Sequence, residues 1–194
     1  MLGVLISVEG VDGAGKTTLV AGLAAALGAV VLREPGGTAV SERVRELLAD
    51  PALEIDPRTE ALLYAAARAQ LVAEQLRPLL ADGATVILDR FVDSSLAYQG
   101  AARGLGVDAI RALNEFGTGG LRPDRTLLLR VDPALARERI AGRAADRLER
   151  EDAAFFAAIA DAYDALAAAE PDRIAVIDGT QSPDAVLADA LAAL

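Results

Sequence analysis

The chain has 194 residues, 53% of them hydrophobic and 25% charged, and carries a formal net charge of −10. That length fits one domain around one buried core, and no apolar run reaches the 18 residues of a membrane span, so a cytoplasmic globular protein is expected, too acidic for general nucleic-acid binding. Histidine and cysteine are both absent, which excludes imidazole acid–base catalysis, thiol nucleophiles, disulfides and thiolate metal sites.

In chain order, Leu2 to Val8 is a short apolar, β-branched run that stops at Glu9-Gly10, and Thr17 to Leu27 has helical apolar spacing. Ala29 to Leu32 is a second strand candidate, followed by the breaker-rich Arg33-Glu34-Pro35-Gly36-Gly37-Thr38 and a helix to about Leu48. Asp56-Pro57 starts a long helix reaching about Leu80, with Pro57 suited to the first turn. Thr85 to Leu88 is a third strand, stopped by Asp89-Arg90, and helices follow over Asp93 to Arg103 and Val107 to Phe116. Thr126 to Val131 is a fourth strand. After Asp132-Pro133 come a helix, an arginine-rich segment, a helix from Asp152 to Ala168, a strand from Arg173 to Ile177 and a last helix. Continuous apolar strands alternating with helices specify one α/β domain, 1–194, with a parallel sheet covered by helices on both faces.

Gly10-Val11-Asp12-Gly13-Ala14-Gly15-Lys16-Thr17 matches GxxxxGK(S/T) between a strand and a helix, the context of a phosphate-binding P-loop. Its glycines let consecutive N–H groups face the phosphates of ATP, Lys16 reaches the β- and γ-phosphates, and the Thr17 hydroxyl suits Mg²⁺. Lys16 is also the only lysine of the chain. An Asn-Lys-x-Asp guanine-reading motif and an Asp-x-x-Gly switch are absent, which favours a kinase over a GTPase. Asp12 would repel a polyphosphate, so it is expected to point outward, toward an acceptor sugar or a metal-bound water.

Six elements in this order resemble the thymidylate kinase family over nearly the whole chain: Glu9-Gly10-x-Asp12-Gly13-x-Gly15-Lys16-Thr17-Thr18, Arg33 to Thr38, Tyr64-x-x-x-Arg68-x-Gln70, Asp89-Arg90-Phe91 through Ser94-Ser95 to Ala97-Tyr98-Gln99-Gly100, Arg122-Pro123-Asp124, and Asp146-Arg147-Leu148-Glu149. The resemblance implies a five-stranded P-loop NTPase fold with a lid, a homodimer, and Mg²⁺-dependent transfer of the γ-phosphoryl group of ATP to dTMP in dTTP biosynthesis. It further implies that Gly10 to Thr18 binds ATP, that Tyr64 stacks on thymine while Arg68 donates to its O4, that Ser95 meets N3, and that Tyr98 fills the space of a ribose 2′-OH; read without the resemblance, Tyr64 is a half-buried packing residue and Ser95 and Tyr98 ordinary helix surface or core. Glu34-Pro35 is then a tight, cis turn beside the acceptor sugar, with an ordinary β-turn as the alternative.

Asp89-Arg90 ends a strand at the edge where ligands sit on open α/β sheets. Asp89 is therefore placed to hold the Mg²⁺ water shell and Arg90 to grip the acceptor phosphate, with a plain ion pair as the alternative. From Arg137 to Arg150 five arginines face three acids, either a solvated charged helix or the lid, about 137–150. Ala14 stands where another subclass carries arginine, so the chain looks like the bacterial type that puts the compensating arginine on the lid, with Arg143 and Arg147 as leading candidates. Two rivals remain: another nucleoside monophosphate kinase, and a P-loop switch that binds a protein partner.

Overall fold

The computed structural model describes residues 3–142 and 146–194. Five parallel strands run β1 (Val4–Glu9), β2 (Val30–Arg33), β3 (Thr85–Asp89), β4 (Arg125–Arg130) and β5 (Ile174–Asp178), in the spatial order β2-β3-β1-β4-β5. Each follows one of the apolar runs to within about two residues; the inner strands β1, β3 and β4, largely buried on both faces, need no alternation, while the edge strand β2 is largely exposed. β1 lies in the middle, with Val8 opposite Asp89 of β3 and Glu9 opposite Leu128 of β4. Its neighbours are reached by the chain in opposite directions, so the crevice at its C-terminal end is where such a sheet binds ligands.

The helices are α1 (Lys16–Leu27), α2 (Ala39–Ala49), α3 (Pro57–Leu71), α4 (Arg77–Ala81), α5 (Val92–Ser95), α6 (Val107–Thr118), α7 (Pro133–Ile140), α8 (Ala153–Ala169) and α9 (Pro183–Ala192). Their starts are written locally: Thr38 caps α2 by accepting from the Ser41 N–H, and Asp56 caps α3 by accepting from Arg58 and Thr59. Among the described residues no helix is long and apolar enough to cross a membrane.

Two expected helices are interrupted. The stretch from Asp56 to Leu80 is α3, a π-helical turn over Val72–Leu76, and α4; the stretch from Asp93 to Arg103 is α5 running into a π-helical Leu96–Ala102. A π turn accommodates one extra residue without changing the apolar spacing enough to be seen in sequence, and such turns gather at functional sites. The expected lid is also partly regular: residues 137–140 belong to α7, and a 3₁₀ turn occupies Leu148–Arg150.

The core has two parts. Ile6, Val8, Leu127 and Leu129 of the sheet pack with Leu19 and Leu23 of α1 and Ile159 of α8, while Leu5, Val86 and Leu88 pack with Leu71, Val72, Leu76 and Phe91. Each such side chain contributes about 1.5–3 kcal/mol by leaving water. This rigid sheet fixes the loop after β1. At Gly13 (φ 85°) a Cβ would stand 2.0 Å from the Ala136 carbonyl oxygen of α7, so only glycine lets that helix back the loop.

Candidate active site

A cavity of about 610 Å³ opens at the C-terminal ends of β1, β2 and β3. From the loop after β1 it takes Asp12, Gly13, Gly15, Lys16 and Thr17; from the turn after β2, Glu34 and Pro35; from α3, Tyr64 and Arg68. The end of β3 adds Asp89, the turn after it adds Arg90, α5 adds Ser95, and the π-helical stretch that follows adds Tyr98. Motifs up to 86 positions apart therefore meet because three parallel strands end in register. Gly10, Val11, Ala14 and Thr18 are not on this wall. Val11 and Ala14 are buried under the loop, Gly10 borders a separate cavity of about 290 Å³, and Thr18 is exposed on α1.

Lys16 is buried, and its Nζ donates to the carbonyls of Gly10 (3.0 Å) and Val11 (2.9 Å), with the Asp12 carboxylate 3.7 Å away. Burial, with the nearby Arg90 cation adding to it, pushes the ammonium down to about 8. No side chain caps the first turn of α1, so its N–H groups are left to an anion.

Arg90 has φ 69°, a left-handed conformation that a non-glycine residue adopts at a cost of about 1–2 kcal/mol. What holds it is visible. Its N–H bonds to the Val8 carbonyl at 3.0 Å, and the next N–H, of Phe91, donates to Glu9 Oε1 at 2.7 Å. The guanidinium then lies over the Tyr98 ring, 5.2 Å from its centroid, and donates to Asp12 at 2.6 Å and Ser94 at 3.1 Å. Asp12 thus faces outward, onto Arg90.

Glu9, seen in the sequence only as the start of the loop motif, is the brace of this turn. It is fully buried and accepts from Phe91, from the Ser94 hydroxyl (2.5 Å) and from the Tyr163 hydroxyl of α8 (3.0 Å). Burial, reinforced by Asp93, raises it from 4.5 to about 7. A carboxyl whose folded value is raised contributes stability that is complete below the unfolded value and lost as pH rises through the folded one. The thermal midpoint of the wild type is therefore expected to fall relative to Glu9→Gln between pH 5 and 8; parallel curves for the two proteins in that window would exclude it.

On the acceptor side Arg68 is 2% exposed, and its donors are committed within the protein. Nε donates to Glu34 at 2.7 Å, Nη1 to Ser95 at 2.9 Å and to Asn114, and Nη2 to the Phe91 carbonyl at 3.0 Å. The sequence suggested a fork facing the base. The structure makes it an internal strut that reaches the wall with its bonds made, and Ser95, which accepts from it, lines the cavity. Glu34 Oε1 is buried and has no partner among the described residues, and burial raises the Glu34 carboxyl to about 7 in spite of Arg68. The Glu34–Pro35 peptide bond is cis. Tyr64 is half-buried on the same wall.

Asp89 Oδ1 is likewise buried and unpaired among the described residues, and the exposed Thr17 lines the same cavity. The unpartnered Asp89 oxygen and the Thr17 hydroxyl are hard oxygen donors of the kind that fit a cation shared with phosphate oxygens.

The cations expected on the lid are distributed differently. Arg143 lies outside the described residues. Arg147 does not line the cavity; its Nη2 stands 2.7 Å from Glu60 and its Nε donates to the Leu48 carbonyl at 3.0 Å. Arg137 lies over the Phe156 ring. Arg139, which sequence reasoning passed over, lines the cavity and donates to the Gly179 carbonyl at 3.0 Å. Its spacing on α7 was the available signal.

Comparison with known proteins agrees with this geometry. The thymidylate kinase family profile matches residues 8–190. The chain is 50% identical to a thymidylate kinase of Deinococcus radiodurans (99% of this chain, 96% of the relative) and 49% identical to one of Caldanaerobacter subterraneus subsp. tengcongensis (96% and 92%). The crystal structure of thymidylate kinase from Ehrlichia chaffeensis superimposes with a TM-score of 0.83 at 30% identity, covering 99% of this chain and 98% of that one. With the phosphate loop, the paired Asp12 and Arg90 and the Arg68–Ser95 wall all on one cavity, and a family match from residue 8 to residue 190, the chain belongs to the thymidylate kinase family.

Proposed function

We propose that Lys16, Arg90, Asp12, Asp89 and the Tyr64–Arg68–Ser95–Tyr98 wall carry out the family's reaction, transfer of the γ-phosphoryl group of ATP to dTMP to give dTDP and ADP. The observation that carries this reading is the single cavity that holds all of them. A phosphate oxygen of dTMP forms the new bond to the γ-phosphorus as the bond to the departing ADP oxygen breaks. The attacking oxygen is already anionic, so a chain without histidine loses nothing. Alignment and charge do the rest.

Lys16 and the first-turn N–H groups of α1 hold the donor phosphates, and Arg139 adds a cation beside them. Arg90 grips the acceptor phosphate, its direction fixed by Asp12 and Tyr98. Asp89 and Thr17 would hold Mg²⁺, which when bound would supply positive charge against the charge building on the phosphates. Tyr64 covers the base, Ser95 meets it with Arg68 behind, and Tyr98 crowds a ribose 2′-OH. The chain works as a cytoplasmic homodimer. What supports the dimer is apolar surface on two adjacent helices, Phe116 of α6 (90% exposed) and Leu62 of α3 (57% exposed).

An acceptor screen with Mg²⁺·ATP tests the reading. dTMP is expected to be the best substrate, dUMP to lose about 10–200-fold in kcat/KM for the missing methyl, and dCMP to lose more than dUMP, because it offers the Ser95 hydroxyl, held by Arg68, a donor in place of an acceptor. Equal use of dCMP and dTMP would sink the base assignment. ADP release indifferent to every monophosphate would favour the regulatory ATPase instead.

A further inference from the structure

Glu60, in the first turn of α3, is a carboxylate with no exposure to solvent. Such a group persists only when it is paired, since an isolated buried charge is prohibitively costly. Its three partners come from two other parts of the chain. Gln99 donates to Oε1 at 2.9 Å from the π-helical segment, Arg103 donates to Oε2 at 3.2 Å from the end of that segment, and Arg147 Nη2 forms an ion pair with Oε2 at 2.7 Å, without hydrogen-bond geometry, from the strap of residues 146–152 that leads into α8. Arg103 uses its other arm on Glu151 of the same strap, 2.7 Å away, and lies over the Phe155 ring. Charges thus alternate along Glu151, Arg103, Glu60 and Arg147, two contacts between strap and body being joined at one carboxylate.

The strap is shaped to meet that carboxylate. Asp146 and Glu149 each accept from the other's backbone N–H, at 2.9 and 3.1 Å, which fixes the turn carrying Arg147. Asp146 and Leu148, on either side of Arg147, line the 610 Å³ cavity, so pinning Arg147 places a wall of the site. The body side faces the same cavity. Gln99 lines it, and Tyr64 and Arg68 stand one and two turns after Glu60 on one face of α3.

We propose that Glu60 is a positioning residue that seats residues 146–152 over the acceptor pocket, receiving Arg147 from the strap while holding Gln99 and Arg103 of the pocket wall. This inference rests on the phosphoryl-transfer reading above. When Arg147 leaves, Arg103 still neutralises Glu60, so the seat can open without stranding a buried charge. When Arg147 is in place the cavity is walled against water, the competing acceptor for the phosphoryl group. Arg147 then acts through Glu60 and not on the transferred group.

The test compares Arg147→Met, Glu60→Gln and the double variant by kcat for dTDP formation and by ADP released per dTDP formed. Each single change is expected to lower kcat about tenfold, the range of coupling between contacting residues, and to raise ADP release above one per dTDP. The double variant is expected to be no worse than the more damaged single one. Reductions that multiply in the double variant would overturn the proposal, because Arg147 would then act independently of Glu60; so would an ADP-to-dTDP ratio at the wild-type value in every variant. Should Glu60→Gln not fold, Arg147→Met and Glu151→Gln decide by the same ratio, uncoupled release supporting the seat and a wild-type ratio refuting it. Absence of dTDP formation by the wild type would instead refute the underlying reaction.

Discussion

Lys16→Ala is expected to lower kcat about 10²–10³-fold with the thermal midpoint near that of the wild type, the loss that follows removal of one preorganised charge from a transition state. The midpoint should hold because, among the described residues, the ammonium meets only its own loop, at the Gly10 and Val11 carbonyls and the Asp12 carboxylate. Lys16→Arg is expected to fail nearly as badly, since a planar fork does not fit a buried place built around a compact point charge. The same burial gives a pH signature. With the ammonium near 8, ATP affinity should weaken as pH rises past about 8 in the wild type, where the cation is lost, and Lys16→Ala should lack that step. A Lys16→Arg enzyme turning over near the wild-type rate would remove Lys16 from the donor site.

Arg68→Ala is expected to cost stability and selectivity together. The substitution strands Glu34 inside the protein and removes the donors to Ser95, Asn114 and the Phe91 carbonyl. Breaking a buried pair from one side costs about 3–5 kcal/mol, which in a chain of this size lowers the thermal midpoint by about 6–20 °C. Glu34→Gln/Arg68→Ala should recover part of that loss, since no charge is then left alone. The dTMP-to-dCMP ratio should also shrink, because Ser95 is no longer held. Calorimetry and the acceptor assay on the same preparations check both halves; an unchanged midpoint with an unchanged ratio would show that Arg68 neither braces the wall nor sets its preference.

These two residues show what a linear sequence can and cannot carry. Lys16 was legible because its loop is local: strand, glycines, lysine and helix are contiguous, and the glycine demanded beside Ala136 is part of the motif. The five strands were legible for the same reason, since each is one apolar run. Arg68 was found through the resemblance, but its full set of partners was not, because Glu34, Ser95 and Asn114 lie 34, 27 and 46 positions away. Glu9, Arg139 and Glu60 escaped on the same ground. A buried carboxylate looks like any other acid until the element that covers it is known, and Tyr163 reaches Glu9 across 154 positions. The direction of Arg147 depended on a partner in another helix, which charge counting along its own segment could not supply.

The π-helical stretch over Leu96–Ala102 makes the pocket sensitive to length as well as to chemistry. Removing a single residue there would let the backbone relax to an ordinary α-helix and turn everything after it by about 100°. Ser95, before the stretch, would stay where it is, while Arg103, at its end, would swing away from Glu60 and Glu151. Insertions and deletions in this short window therefore act as a gear between the base-facing wall and the strap, leaving the first in register while disengaging the second.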